Sequence, residues 1–128
     1  MGKYTDLLNI PFCIRGRSKE TGFDCLGLAI EVLKRNGIYL PDPFYEDFSE
    51  RKNVRENLLH SVSYEIIEKP QVNCIIEIIE HGLPLHIAVY IGEGKMIHCT
   101  EDFGVIIEPI EKYKYRIRKF YKVHINNL

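Results

Sequence analysis

A cysteine and two histidines carry the chemistry that this sequence offers. Cys25 lies in the run Thr21-Gly22-Phe23-Asp24-Cys25-Leu26-Gly27-Leu28-Ala29-Ile30-Glu31-Val32-Leu33-Lys34-Arg35-Asn36-Gly37, and His86 and His98 lie in two β-branched stretches further along. A cysteine at a helix N-terminus meets unpaired backbone N–H groups and the positive end of the macrodipole. Such surroundings lower a thiol pKa from about 8.5 by one to several units, so the group can be a thiolate near neutral pH. A thiolate nucleophile needs an imidazole as base, and that imidazole needs a partner to hold its tautomer. Cys25, His86 and His98 have the right types for nucleophile, general base and orienting residue. The same residues admit blander readings. A cysteine on a core helix is usually a small buried hydrophobe, and two histidines can be satisfied core residues. A metal site using Cys99 as an added ligand is a third reading. Only His98 and Cys99 are close in sequence, however, and they point to opposite faces of a strand, unlike the closely spaced ligand pairs that zinc usually takes.

The elements that must position these groups can be read from periodicity. Gly22 makes a turn, Asp24 caps, the body is apolar, and Lys34 and Arg35 precede an Asn36-Gly37 stop, so the run predicts a buried helix headed by Cys25. Before it come a short helical turn at Tyr4 to Leu8, stopped by Pro11, and a polar loop, Arg15 to Glu20. After it, Leu40-Pro41-Asp42-Pro43 is a rigid loop, and residues 47–61 read as a surface helix carrying His60 on its solvated face. From residue 64 the period becomes strand-like: Tyr64 to Ile67, Cys74 to Ile79, Ile87 to Ile91, Lys95 to His98, Val105 to Ile107 and Arg116 to Val123. Helices first and an antiparallel meander after is an α+β order.

Gly92-Glu93-Gly94 forms the loop between the third and fourth strands. If all three residues form the loop, Ala88 pairs with His98, because both are equidistant from Glu93. His86 is then the diagonal neighbour of His98 on one face, about 7 Å away. His86, Ala88 and Tyr90 share a face, as do Met96, His98 and Thr100.

Composition narrows the class. A chain of 128 residues with 45% hydrophobic and 27% charged residues is an ordinary globular domain, expected to be single over 1–128. A net charge of −1 argues against a general nucleic-acid binder, which needs a surplus of cations. No window has the length and apolarity of a signal peptide or membrane span, so a protein made in the cytoplasm, with no membrane partner, is expected. The four cysteines include no CxxC pair and read as reduced thiols, with no metal or other cofactor.

The segment Gly22-Phe23-Asp24-Cys25-Leu26-Gly27-Leu28, followed by Leu40-Pro41, resembles the nucleophile motif of the NlpC-type cell-wall cysteine peptidases, a papain-like family. His86-Ile87-Ala88-Val89-Tyr90-Ile91-Gly92, then Gly94, Met96, Ile97 and His98, resembles the histidine hairpin of that family. Ile10-Pro11-Phe12 and Gly16 upstream, and Gly104-Val105 and Phe120-Tyr121 downstream, extend the likeness to nearly the whole chain, particularly to compact phage tail versions. The resemblance implies a papain-like α+β fold with nucleophilic Cys25, basic His86 and His98 as the third polar residue. It also implies hydrolysis of an amide in peptidoglycan stem peptides, usually beside a D-glutamyl or diaminopimelyl residue. Leu26 stands where the family commonly has Ser or Trp, Asn73-Cys74 where it has Gly-Asp, and Phe12 where it has a Tyr near the oxyanion.

Asp24, Phe12, Arg15 and Arg17 are further candidates for touching substrate, the two arginines by meeting its carboxylates, although a purely solvated role is the favoured reading for both arginines. Lys112 to Lys122 is a basic run with interleaved aromatics. Its alternation reads as a half-buried strand with a solvated cationic face, and polyanion binding is the rival reading. Glu46, Asp47 and Glu50 read as a solvated helix start. The expected protein is a monomeric cysteine peptidase or amidase, associated with a phage tail and its proteins. The alternatives are an inactive structural tail-tip component of the same fold and a thioester-forming acyltransferase.

Overall fold

The computed structural model describes residues 2–42, 58–59 and 62–124. A 3-10 turn at Thr5–Leu7 and two short strands, β1 (Arg17–Ser18) and β2 (Gly22–Phe23), lead into the helix α1 (Cys25–Arg35). The six predicted strands are all present as β3 (Tyr64–Ile67), β4 (Ile75–Glu80), β5 (Leu83–Gly92), β6 (Lys95–Thr100), β7 (Gly104–Pro109) and β8 (Ile117–Val123). Of the predicted 47–61 helix, Leu58 and Leu59 are helical and buried; His60 and the acidic residues Glu46, Asp47 and Glu50 lie outside the described residues.

The helix forms where its ends are best specified. Asp24 is the N-cap and accepts from the Gly27 N–H at 2.7 Å. At the other end Gly37, at φ 80°, donates to Lys34 O, and Ile38 N–H returns to Leu33 O at 2.9 Å. That left-handed residue is where glycine costs nothing and other residues are strained.

All six large strands pair antiparallel, but they do not form a simple meander. The order is β3-β8-β4-β5-β6-β7, so the last strand inserts between β3 and β4. The alternation of side chains divides the core in two. Ile75, Ile87, Val89, Ile97 and Tyr121 join the residues of α1 on one face. Ile76, Ile78, Ala88 and Met96 meet Ile110, Tyr113 and Phe120 on the other. Both faces of the sheet are therefore covered, each fully buried aliphatic side chain contributing about 1.5–3 kcal/mol of burial. Glu77, buried among them, accepts from the Tyr121 hydroxyl and from Arg118, each at 2.9 Å.

The basic run is only partly strand. Residues Ile110–Tyr113 form a 3-10 turn and the chain stays in turns until Ile117, with Tyr115 90% exposed. The alternating Lys-Tyr pattern from residue 112 to 116 mimics a two-residue period. Its cations are taken up by short-range pairing, Lys112 with Glu108 and Lys114 with Glu111, which suits a turn better than a strand. Arg116 pairs with Glu80 and Arg118 with Glu77, so carboxylates outside the run take up four of its six cations.

Gly27 shows how tightly the start of α1 is seated. A Cβ built there would lie 2.1 Å from the carbonyl oxygen of Gly16. Alanine would gain about 1 kcal/mol of helix propensity, yet it must push away a loop backbone. Gly27→Ala is expected to lower stability by a net of about 2–3 kcal/mol, read as a fall in thermal midpoint of roughly 10 °C.

Candidate active site

Asp24 holds the loop ahead of the helix as well as capping it. It is 1% exposed, and besides Gly27 N–H it accepts from Arg17 Nη1 at 2.9 Å and from the Arg15 backbone N–H at 3.0 Å. Arg17 reaches on to Asp42 at 2.9 Å. Three of the residues set out as substrate-contacting candidates are thus found fastening one another around the first turn of α1. Arg15 itself is exposed and left-handed, at φ 63°. Phe12, the fourth, is partly buried and tied to Phe23 by an isolated parallel bridge.

Cys25 opens the helix, as expected, and is 3% exposed. No disulfide involves any of the four cysteines. Cys99 packs against this region and donates its thiol to Phe23 O at 3.1 Å, which seats the approach to Cys25 beside the residue that follows His98. Burial, then the negative charges of Cys25 and Asp24, push the Cys99 thiol up to about 12, so it remains a protonated donor.

The two histidines meet as the hairpin register predicts. Val89 pairs with Ile97 and Tyr90 with Met96, the register that places Ala88 opposite His98. The tip differs in detail: Gly92 pairs with Lys95, leaving a two-residue turn of Glu93 and Gly94, both at positive φ, and a bulge between Tyr90 and Gly92. The extra residue in the bulge restores the alternation that a two-residue turn alone would have inverted. His86 Nε2 and His98 Nδ1 are 2.8 Å apart, with both rings buried.

The hydrogen-bonded line continues to a residue that the sequence reading missed. His98 Nε2 lies 2.8 Å from Oε1 of Glu108 on β7, which also accepts from the Tyr113 hydroxyl at 2.8 Å and, through Oε2, from Lys112. Glu108 was legible in principle. Applying the equidistance rule to the Glu101-Asp102-Phe103 turn pairs Met96 with Glu108, making Glu108 the diagonal neighbour of His98. The strand runs to Pro109, two residues beyond the Ile107 end that its β-branched pattern predicts.

Burial opposes the charge on Glu108, but the hydrogen bonds from Lys112, His98 and Tyr113 outweigh it and hold the carboxyl at about 2. Burial pulls His98 the other way, below the usual histidine value, against the attraction of Glu108. A carboxylate beside a neutral imidazole is the resulting state near pH 7. Both nitrogens of His98 are committed within this line and Cys99 serves the opposite face. Among the described residues no three metal-ligating side chains cluster.

A cleft of about 510 Å3 opens over these groups, walled by Phe12, His86, His98, Cys99, Thr100 and Tyr113 among others. Its lining joins the histidine face of the sheet to Phe12, and so to the strand that enters α1. Residues 10–123 match the family model described as NlpC/P60. The chain belongs to the NlpC/P60 family. Among its relatives, the γ-DL-glutamyl hydrolase of Bacillus subtilis is 29% identical over 110 residues, covering 86% of this chain and 25% of the relative. The murein DD-endopeptidase MepS/murein LD-carboxypeptidase of Escherichia coli K12 is 25% identical over 120 residues, covering 90% and 57%. This chain therefore spans only part of each. An NlpC/P60 family protein from Bacillus cereus has the same fold, with a TM-score of 0.64 at 25% identity over 89% of this chain and 35% of the other. The papain-like α+β architecture of the NlpC/P60 domain is thus present, with α1 packed on a six-stranded antiparallel sheet among the described residues.

Departures from the family pattern have local explanations. Asn73, where the family commonly has glycine, takes φ 76° and accepts from Asn36 Nδ2 at 2.7 Å, joining the entry of β4 to the end of α1. Asparagine is among the few residues that tolerate that conformation. Leu26 is buried in the helix-side core.

Proposed function

We propose that this chain is a cysteine peptidase acting on amide bonds of peptidoglycan stem peptides, with Cys25 as nucleophile, His86 as base and His98 as the residue that orients it. The observation that carries the reading is the buried line His86–His98–Glu108 opening into a cleft whose other wall is tied to the residues before Cys25. An imidazole braced from behind by a second ring and a carboxylate suits a general base far better than a chance pair of core histidines. Membership of the NlpC/P60 family, and relatives named for murein and γ-glutamyl hydrolysis, support the substrate class.

In this mechanism His86 takes the thiol proton of Cys25, and the sulfur attacks the amide carbonyl carbon. The negative charge moves to the carbonyl oxygen, where backbone N–H groups at the start of α1 would stabilise it; one such donor is typically worth about 100-fold or more in rate. The C–N bond then breaks as the His86 imidazolium gives its proton to the departing nitrogen, leaving a free amine and a thioester on Cys25. Water, deprotonated by His86, attacks the thioester, releasing the carboxylic acid and restoring the thiol.

Purified peptidoglycan incubated with the protein is expected to yield soluble fragments carrying one new amine and one new carboxyl group per cut, a gain of one water by mass. An acyl group retained on Cys25, or passed to an added amine with no carboxylic acid formed, would instead indicate acyl transfer. Intact peptidoglycan under all conditions would leave a structural role. Action as a monomer and delivery by a phage tail are further parts of the proposal that rest on the sequence resemblance. Sedimentation and copurification with tail proteins test them.

A further inference from the structure

The line of hydrogen bonds has a direction, and Glu108 sets it. A carboxylate accepts only, so the hydrogen on the bond between Glu108 Oε1 and His98 Nε2 belongs to the imidazole. A neutral imidazole with its proton on Nε2 has only a lone pair at Nδ1. The 2.8 Å contact there must then be filled by the Nε2–H of His86. With Nε2 protonated, the basic nitrogen of a neutral His86 is Nδ1, on the side of the ring away from His98.

We propose that Glu108 is a positioning residue of the active site, fixing His98 as the Nε2–H tautomer and thereby selecting Nδ1 of His86 as the nitrogen that handles the substrate-derived proton. The assignment rests on the peptidase reading for its consequence in catalysis, though not for the tautomer itself. Neither Tyr113 nor Lys112 replaces Glu108, because the ammonium has no lone pair with which to accept and the Tyr113 hydroxyl is itself turned to donate to the carboxylate. They instead keep it ionised and aimed: Tyr113 also stacks edge-on against His98, with centroids 5.3 Å apart. If His98 carried its proton on Nδ1, its Nε2 lone pair would face a buried carboxylate with no hydrogen between them, a repulsive contact the 2.8 Å separation does not allow.

The titratable groups facing this carboxylate and its ring partners are His98 and His86 on β6 and β5, Lys112 and Tyr113 on the 3-10 turn, and Arg116 and Glu80 beyond Tyr113. Glu108→Gln keeps the shape and removes the charge and the obligation to accept. With peptide substrate, kcat is expected to fall about 10- to 100-fold, with KM within about twofold. The limb of the pH profile that reports the imidazole should move to lower pH by about half a unit, because a nearby negative charge favours imidazolium. A merely structural residue would leave that limb in place.

The tautomer is read without turnover, from long-range nitrogen–proton correlations of the histidine rings in the wild-type chain at pH 7.5. A proton on Nε2 of both His98 and His86 supports the assignment, and a proton on Nδ1 of His98 overturns it. An unchanged kcat and pH profile in Glu108→Gln also overturns it. If the wild type cuts no peptidoglycan, the peptidase reading fails, and the ring spectra still decide the role of Glu108.

Discussion

Replacing Cys25 by alanine is expected to abolish amide hydrolysis, by at least about 10^4-fold in kcat, while leaving the fold in place. The two halves of that expectation have separate causes. Alanine has no group for His86 to deprotonate and nothing to attack the carbonyl carbon, so the covalent route is closed. The structural cost is small because Cys25 sits at the first turn of α1, where alanine is a good helix former, and only one sulfur is lost from a 3% exposed site. A loss of about 1 kcal/mol or less follows, read as a nearly unchanged thermal midpoint. Cys25→Ser is a sharper control, since it keeps a polar atom in place. A hydroxyl is a far weaker nucleophile at neutral pH and is expected to recover little of the rate. Substantial cleavage by either variant would remove Cys25 from the mechanism.

The variant also separates Cys25 from Cys99. Cys99 lies near the same helix start, and burial first, then the charges of Cys25 and Asp24, raise its thiol well above the ordinary range. In the alanine variant burial and the Asp24 charge remain, so Cys99 stays a thiol and does not substitute as nucleophile. An electrophilic probe at neutral pH is accordingly expected to mark Cys25 in the wild type and not to mark Cys99 in the alanine variant; peptide mass mapping reads both and separates them from the partly exposed Cys13.

Much of this arrangement was legible before any coordinates. The helix was legible because Asp24, Lys34-Arg35 and Asn36-Gly37 mark its ends chemically and not by hydrophobicity alone. The meeting of His86 with His98 followed from counting outward from Glu93, since register in a hairpin is set by its turn. Two features resisted. The insertion of β8 between β3 and β4 is a long-range choice that no local period encodes; Ile75 pairs with Tyr121 across 46 positions of chain. Glu108 was lost for a subtler reason. Acidic residues near a strand end beside Pro109 look like loop, and only the tertiary approach of Lys112 and Tyr113 makes a buried carboxylate tolerable there. For Arg17 the sequence leaves open a substrate contact or a solvated cation, and the structure engages its charge with Asp24 and Asp42, partners that no local pattern encodes.

The second large effect lies at His98, where the structure makes two substitutions differ. His98→Ala removes a ring that is 1% exposed and leaves the His86 Nε2–H and the Glu108 carboxylate without their shared partner. Loss of one member of a buried charged network typically costs about 3–5 kcal/mol, and with His86 no longer held, turnover should fall at least about 100-fold. His98→Gln offers an amide N–H to Glu108 and an amide oxygen to His86, the same order of donor and acceptor as the proposed tautomer. It is expected to retain most of the stability and to cut at least about 10-fold faster than the alanine variant. Acid gives an independent reading. Burial holds His98 below the ordinary histidine value of 6.5, so the unfolded chain binds a proton that the folded one refuses, and stability present above 6.5 is lost as pH falls below it. Glu108, held at about 2 against an ordinary glutamate value of 4.5, contributes stability that is present above 4.5 and lost as pH falls from there toward 2. Urea unfolding of the wild type should therefore weaken in two stages on acidification. In His98→Gln the first stage should be reduced, because the amide does not titrate. A glutamine variant with the same decline between pH 7 and 5 as the wild type, or no more active than alanine, would show that the ring at 98 acts by filling space and not by ordering protons.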